Sequence, residues 1–201
     1  MLIFVKPRIV LLSVPKTGTT ALEQALSERA EIAFRGRAEI KHLNLRQYIN
    51  KIRPLLHPLG GPRFETVAVM REPLDWLGSW YRFRARDALI GRPNSTAHLS
   101  FSRFVEDYLH PGERPSHANL GRQSDFLIDN DNRIAVDHIF RYEAMPALVD
   151  FLAARLGQAI TLPRVNVSPE AATDLDAETE TRLRTAMAPE YAIWERARQA
   201  P

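Results

Sequence analysis

The stretch SVPKTGTT, residues 13–20, lies between the apolar run RIVLL and a helical pattern, and constrains the chain most. Ile9 to Leu12 is short and rich in branched side chains, which predicts a buried strand. From Thr20, Ala21, Leu22, Ala25 and Leu26 recur at helical spacing through about Ala30. A strand that enters a helix through so tight a turn gathers free backbone N–H groups at one point, and the helix dipole adds partial positive charge there. Gly18 permits close approach or an unusual backbone angle, Lys16 brings a mobile cation, and Thr17, Thr19 and Thr20 bring hydroxyls. Phosphate or sulfate is the natural ligand of such a turn. The same residues could also form a plain capped helix start with an exposed lysine.

Further elements follow in alternation. Glu39 to Leu43 is a possible second strand, followed by a polar helix or turn through Arg53 and a connection with Gly60-Gly61. Thr66 to Met70 (TVAVM) predicts a buried strand, and Pro73 can open the next helix. Phe101 to Leu109 is a short helix candidate, Ile134 to Phe140 a further strand, and Pro146 to Leu156 an amphipathic helix stopped by Gly157. Thr173 or Asp174 can cap a helix to about Met187, with a last short helix from Pro189 to Ala197. Strands alternating with helices predict an α/β fold: one P-loop-like domain over residues 1–201, its mostly parallel central sheet flanked by helices. Residues 84–123 read as an irregular acceptor-side or lid segment.

Composition bounds the partners. The 201 residues are 45% hydrophobic, enough for one sizeable core. A net charge of +3 without a basic stripe gives no reason to expect a nucleic-acid partner. The absence of cysteine excludes disulfides and thiolate metal sites and suits a reducing compartment. The opening MLIFVKPRIVLL is too quickly interrupted for a signal peptide, and no run approaches the roughly 20 apolar residues of a membrane span. A cytoplasmic protein is expected. Its oligomeric state is not legible.

A second constellation is VMREPLDWLGSWY, residues 69–81. Arg71 leaves the C-terminal end of a predicted strand, and parallel strands bring such ends to one sheet edge, near the first loop. Its guanidinium can grip a phosphate bidentately, and Ser79 can add a hydroxyl. Alternatively Arg71 is a surface arginine and Ser79 bonds its own helix backbone. A nucleotide-triphosphate loop is written GxxxxGK[ST]; here Lys16 precedes Gly18, and no convincing acidic strand end offers a magnesium ligand.

The two motifs together resemble the P-loop-type sulfotransferase family, which uses 3′-phosphoadenosine 5′-phosphosulfate (PAPS). PKTGTT is similar to the family's sulfate-donor loop and REPLDWLGSWY to its 3′-phosphate motif. FRYEAM, residues 140–145, is similar to its late strand and turn into a helix. The resemblance implies that Lys16, Thr17, Gly18, Thr19 and Thr20 surround the 5′-phosphosulfate and that Arg71 and Ser79 hold the 3′-phosphate. Adenosine 3′,5′-bisphosphate (PAP) would be the product, and no metal is expected. The late GxxGxxK element of cytosolic-type members is missing. Asn166 and Ser168 in RVNVSPE resemble the bacterial and carbohydrate-modifying branches instead, and Arg164 or an arginine between 112 and 122 could replace the missing contact.

Sulfuryl transfer to an alcohol needs a cation at the leaving oxygen, for which Lys16 is suited, and a base for the acceptor proton. His42, in EIKHLNL, is the leading base, and the family's histidine before a leucine is similar; a partly buried structural histidine is the other reading. Glu39 is the fallback base, and Lys41 could orient an acidic acceptor or the sulfuryl group. His117 could line an acceptor pocket, Arg122 could touch donor or substrate, and His138 reads as structural. The histidine spacing makes no three-ligand zinc site. Trp76, Trp80, Tyr81 and Phe83 could wall an acceptor or simply form core, while Lys51, Arg53, Arg84 and Arg86 could attract an acidic saccharide or sit on a solvated face. The expected acceptor is a hydroxyl of a carbohydrate, lipid or small metabolite. The rivals are a magnesium-dependent kinase with a variant P-loop and a noncatalytic nucleotide- or anion-binding protein.

Overall fold

The computed structural model describes residues 1–163 and 172–200, which divide into two compact units. The first unit comprises residues 1–71, 122–165 and 196–201 and carries the sheet. Its strands are β1 (Leu2–Phe4), β2 (Ile9–Leu11), β3 (Ile32–Ala33), β4 (Glu65–Met70) and β5 (His138–Arg141), in the spatial order β3-β1-β2-β4-β5.

The sheet is mixed, which corrects the expectation of a mostly parallel one. β2, β4 and β5 run parallel, but β1 pairs antiparallel with both β2 and β3. The cause is a tight hairpin: Val5 O accepts from Arg8 N–H at 3.2 Å, and Arg8 has a φ of 58°. A chain that reverses within four residues has no room for a parallel crossover. Strands of two and three residues also leave no measurable alternation in the sequence, so β1 and β3 were invisible there.

Along β4, Val67 and Val69 share a core with Leu2, Phe4, Ile9, Leu11 and Phe140. Helices α1 (Thr19–Leu26) and α7 (Met145–Leu156) cover that face with Leu22, Leu26, Leu148 and Leu152, all buried. Each such side chain removed from water stabilises the fold by about 1.5–3 kcal/mol. α7 stops at Gly157, whose φ of +67° suits glycine.

Glu39 to Leu43 is not a strand. Ala38–Lys41 forms a single helical turn, α2, with Ile40 exposed and His42 as its C-cap. Five residues are too few to separate a period of 2 from one of 3.6, and β3 already occupies the sheet edge beside β1. Beyond it, α3 (Leu45–Gln47) opens with a capping box at Asn44, passes into a π-helical turn (Tyr48–Ile52), and ends in α4 (Arg53–Leu56).

The second unit, residues 72–121 and 166–195, is helical where described: α5 (Pro73–Arg84), α6 (Phe101–Leu109), α8 (Ala177–Ala186) and α9 (Ala188–Arg196, whose last residue falls in the first unit). Glu72 caps α5 by accepting from Asp75 N–H at 2.7 Å, with Pro73 in the first turn as expected. Asp176 caps α8, two or three residues beyond the anticipated Thr173 or Asp174. Trp76, Leu77, Phe104, Val105, Leu183 and Met187 form its core. Ala118 and Leu120, from the segment expected to be a lid, are buried in the same core. Among the described residues no helix is long and apolar enough to cross a membrane.

Candidate functional site

β2, β4 and β5 end at one edge of the sheet, with Leu11 opposite Val67 and Met70 opposite Arg141. Loops beyond the carboxyl ends of parallel strands are where ligands of such sheets bind. The loop after β2 is tightly wound. Lys16 and Gly18, on either side of Thr17, both take left-handed backbone angles, φ 67° and 77°. Turns of this kind point successive N–H groups into one concavity that suits an anion. For Lys16, which carries a Cβ, the conformation costs about 1–2 kcal/mol, so the surroundings must impose it.

The hydroxyls of this loop have different surroundings. Thr17 is fully buried and its Oγ1 donates to Val14 O at 2.8 Å, closing the turn from inside. Thr19 is buried at the first position of α1, while the half-buried Thr20 Oγ1 lies 3.5 Å from Lys41 Nζ. Lys41 itself is ion-paired with Glu23 at 2.8 Å. Gly18 caps α1 without a side chain, and a Cβ built there would lie 3.1 Å from Met145 Cε and 3.2 Å from Tyr142 Cε2.

His42 comes to the same loop through its ring. Nδ1 lies 2.7 Å from Ser13 O, and because a carbonyl only accepts, Nδ1 carries the hydrogen. The Nε2 of the neutral ring is then the acceptor. Burial holds the His42 pKa below its usual 6.5 and Lys41 adds to the effect, against the pull of the Ser13 carbonyl and Glu23 in the other direction. His42 is therefore mostly neutral at pH 7. Glu39, the alternative base, is exposed at the opposite end of α2.

Arg71 follows β4 directly, and its Nη1 donates to Lys16 O at 3.3 Å. Its guanidinium lies 4.5 Å from the centre of the Tyr142 ring, a cation–π contact. Gln123, fully buried, clamps the Arg71 backbone from both sides: Oε1 accepts from Arg71 N–H at 2.9 Å and Nε2 donates to Arg71 O at 2.8 Å. Lys16, Thr17, Gly18, Thr19, Thr20, His42 and Arg71 thus belong to one sheet edge of the first unit. Ser79 belongs to the second unit, buried within α5.

Gln123 and Tyr142 escaped the sequence reading. Tyr142 had a partial signal in FRYEAM; Gln123 had none, since it acts on the backbone of a residue 52 positions away. In the second unit, Trp76 and Tyr81 are core, and Arg84 is buried with its guanidinium donating to Ser116 O and His117 O. His117 Nε2 lies 2.7 Å from Asp107 Oδ2. His138 pairs with Glu65 at 2.6 Å, at the far end of β4 and β5 from the candidate site. Arg164, Asn166 and Ser168 lie outside the described residues. Among the described residues no cluster of three or more His, Cys, Asp or Glu side chains is set to hold a metal ion. Comparison of the chain with protein-family models, curated proteins and solved structures finds no match.

Proposed function

We propose that the chain is a PAPS-dependent sulfotransferase that moves a sulfuryl group directly to a hydroxyl of a carbohydrate, lipid or small metabolite. One observation carries the reading: the Lys16 loop, the His42 ring and Arg71 are tied together at a single strand edge, by Ser13 O to His42 and by Lys16 O to Arg71. The two motifs that resemble the family's donor loops support it from the sequence. The 55 positions from Lys16 to Arg71 are spanned by one hydrogen bond, from the Arg71 guanidinium to the Lys16 carbonyl.

On this reading the acceptor hydroxyl approaches the sulfur in line with the departing phosphate oxygen. His42 Nε2 takes the hydroxyl proton as the new oxygen–sulfur bond forms. The old sulfur–oxygen bond breaks and its electron pair leaves on the bisphosphate, where Lys16 offsets the charge. Loop N–H groups and the Thr19 and Thr20 side chains bear on the sulfuryl oxygens. Arg71 holds the 3′-phosphate, so the reacting atoms keep their alignment. No covalent enzyme intermediate is needed.

Titration calorimetry of the parent, Lys16→Ala and Arg71→Ala proteins with adenosine 3′,5′-bisphosphate and ATP, each with and without magnesium, tests this. Magnesium-independent preference for the bisphosphate, weakened about tenfold or more by either substitution, is expected. A preference for ATP seen only with magnesium would instead make the loop a kinase site.

A further inference from the structure

At the other end of the parallel strands the first unit holds a cavity of about 340 Å³. Arg8 just before β2, Thr66 early in β4 and Asp137 just before β5 line it, so it opens at the amino ends of the strands. It lies at the low end of small-ligand cavities, roughly 300–1,000 Å³. Its apolar wall is Leu45, Ile49, Leu56, Phe64 and Ala135.

Most polar groups around it are already committed. Asp137 accepts from Arg63 at 2.9 and 2.5 Å, from Thr66 N–H at 2.7 Å and from Thr66 Oγ1 at 2.9 Å, which uses its acceptor capacity. The Arg8 guanidinium lies over the Phe64 ring at 4.3 Å and donates Nε–H to Pro62 O at 2.8 Å. Carbonyls hold it without neutralising it. Three guanidinium groups, Arg8, Arg53 and Arg63, therefore face one carboxylate, and the lining is net cationic.

Two donors are unspent. The Tyr48 side chain is buried, 2% exposed, and its hydroxyl has no hydrogen-bond partner among the described residues. Such an orphan costs about 1–3 kcal/mol, so it calls for a partner. The Arg53 side chain makes no hydrogen bond or ion pair among the described residues. Tyr48 opens the π-helical turn, a backbone form enriched at functional sites, and Arg53 follows it directly as the first residue of α4, its N–H donating to Tyr48 O. An apolar wall, a buried hydroxyl donor and a cationic lining select a ligand with an apolar body and an anionic head.

We propose that this cavity binds a small amphipathic carboxylate, its apolar body against Leu45, Ile49 and Leu56 and its carboxylate accepting from Tyr48 Oη and the Arg53 guanidinium. At about 30 Å³ per water-sized group, the space holds on the order of ten heavy-atom groups. The site is separate from the Lys16 edge and does not depend on what that edge binds.

Octanoate is the probe, compared by calorimetry with octan-1-ol and octylammonium on the full chain. Octanoate is expected to bind about tenfold or more tightly than either analogue. Tyr48→Phe and Arg53→Ala should each weaken it about tenfold, and Lys16→Ala should leave it unchanged. Arg53 is exposed, so its replacement cannot be confused with misfolding. Absence of octanoate binding, equal binding of octanol, or loss of binding in Lys16→Ala would each overturn the assignment. So would full binding by both cavity variants.

Discussion

His42 Nδ1 lies 2.7 Å from the carbonyl oxygen of Ser13, the residue that opens the Lys16 loop. That bond sets the tautomer and leaves Nε2 as the acceptor a general base needs. Because burial lowers the His42 pKa from 6.5, the base form is present at neutral pH and is lost only on acidification. Plots of kcat/KM against pH should therefore show an acid limb centred below 6.5. His42→Ala should lower kcat by about 10²–10⁴ and leave bisphosphate affinity within about twofold. An acid limb centred above 6.5, or persisting in His42→Ala, would remove His42 from the role of base.

Gly18 is constrained twice. Its φ of 77° is one that L side chains rarely adopt, and a Cβ would press on Met145 Cε and Tyr142 Cε2. Gly18→Ala should destabilise the first unit by about 1–2 kcal/mol and weaken bisphosphate binding. Adding Met145→Ala relieves the contact with Met145 but neither the Tyr142 contact nor the backbone strain. The double variant should thus recover only part of the lost affinity, measured by calorimetry. Full recovery would show that the Met145 contact alone was at work.

The Gln123 clamp makes a separate prediction. Gln123→Leu keeps the volume but strands the Arg71 N–H and C=O away from their partners. Loss of these two hydrogen bonds should cost about 1–3 kcal/mol in denaturant unfolding. Gln123→Glu keeps the acceptor toward Arg71 N–H but turns an oxygen toward Arg71 O. Both should weaken bisphosphate binding while leaving the octanoate affinity unchanged, since the cavity is at the other strand ends. Equal weakening of both ligands would mean that the clamp supports the whole unit rather than Arg71.

What was legible in the sequence was local. The runs IVLL and VAVM within TVAVM are fully apolar, and the PKTGTT turn has a glycine where the backbone turns left-handed, so strand, turn and helix could be read in order. The antiparallel β1 could not, because three residues carry no period and the hairpin that directs it depends on Arg8 taking a positive φ. The EIKHL segment misled because its apolar and polar residues alternate over too short a span, and the sheet edge was already filled. At the site, Lys16, Arg71 and His42 announce themselves by type. What orients them does not: the Ser13 carbonyl and the Gln123 amide act through backbone atoms 29 and 52 residues distant.

The amino ends of β4 and β5 predict how the fold responds to acid. Hydrogen bonds from Arg155 and His138 hold the Glu65 carboxyl at about 2. Burial alone would raise Asp137, but the Arg63 guanidinium and the Thr66 N–H and hydroxyl outweigh it and bring that carboxyl to about 2 as well. Both pKa values lie below those of the unfolded chain. Their stabilisation is therefore complete above about pH 5 and fades as pH falls from there toward 2. For Asp137 it is at most on the order of 2 kcal/mol, whereas the more exposed Glu65 contributes less because solvent screens it. Urea unfolding followed from pH 7 to pH 3 should show the midpoint falling below about pH 5. Asp137→Asn should lower the midpoint at pH 7 and flatten that fall. An Asp137→Asn protein with the parent's full acid sensitivity would assign the loss to other carboxylates.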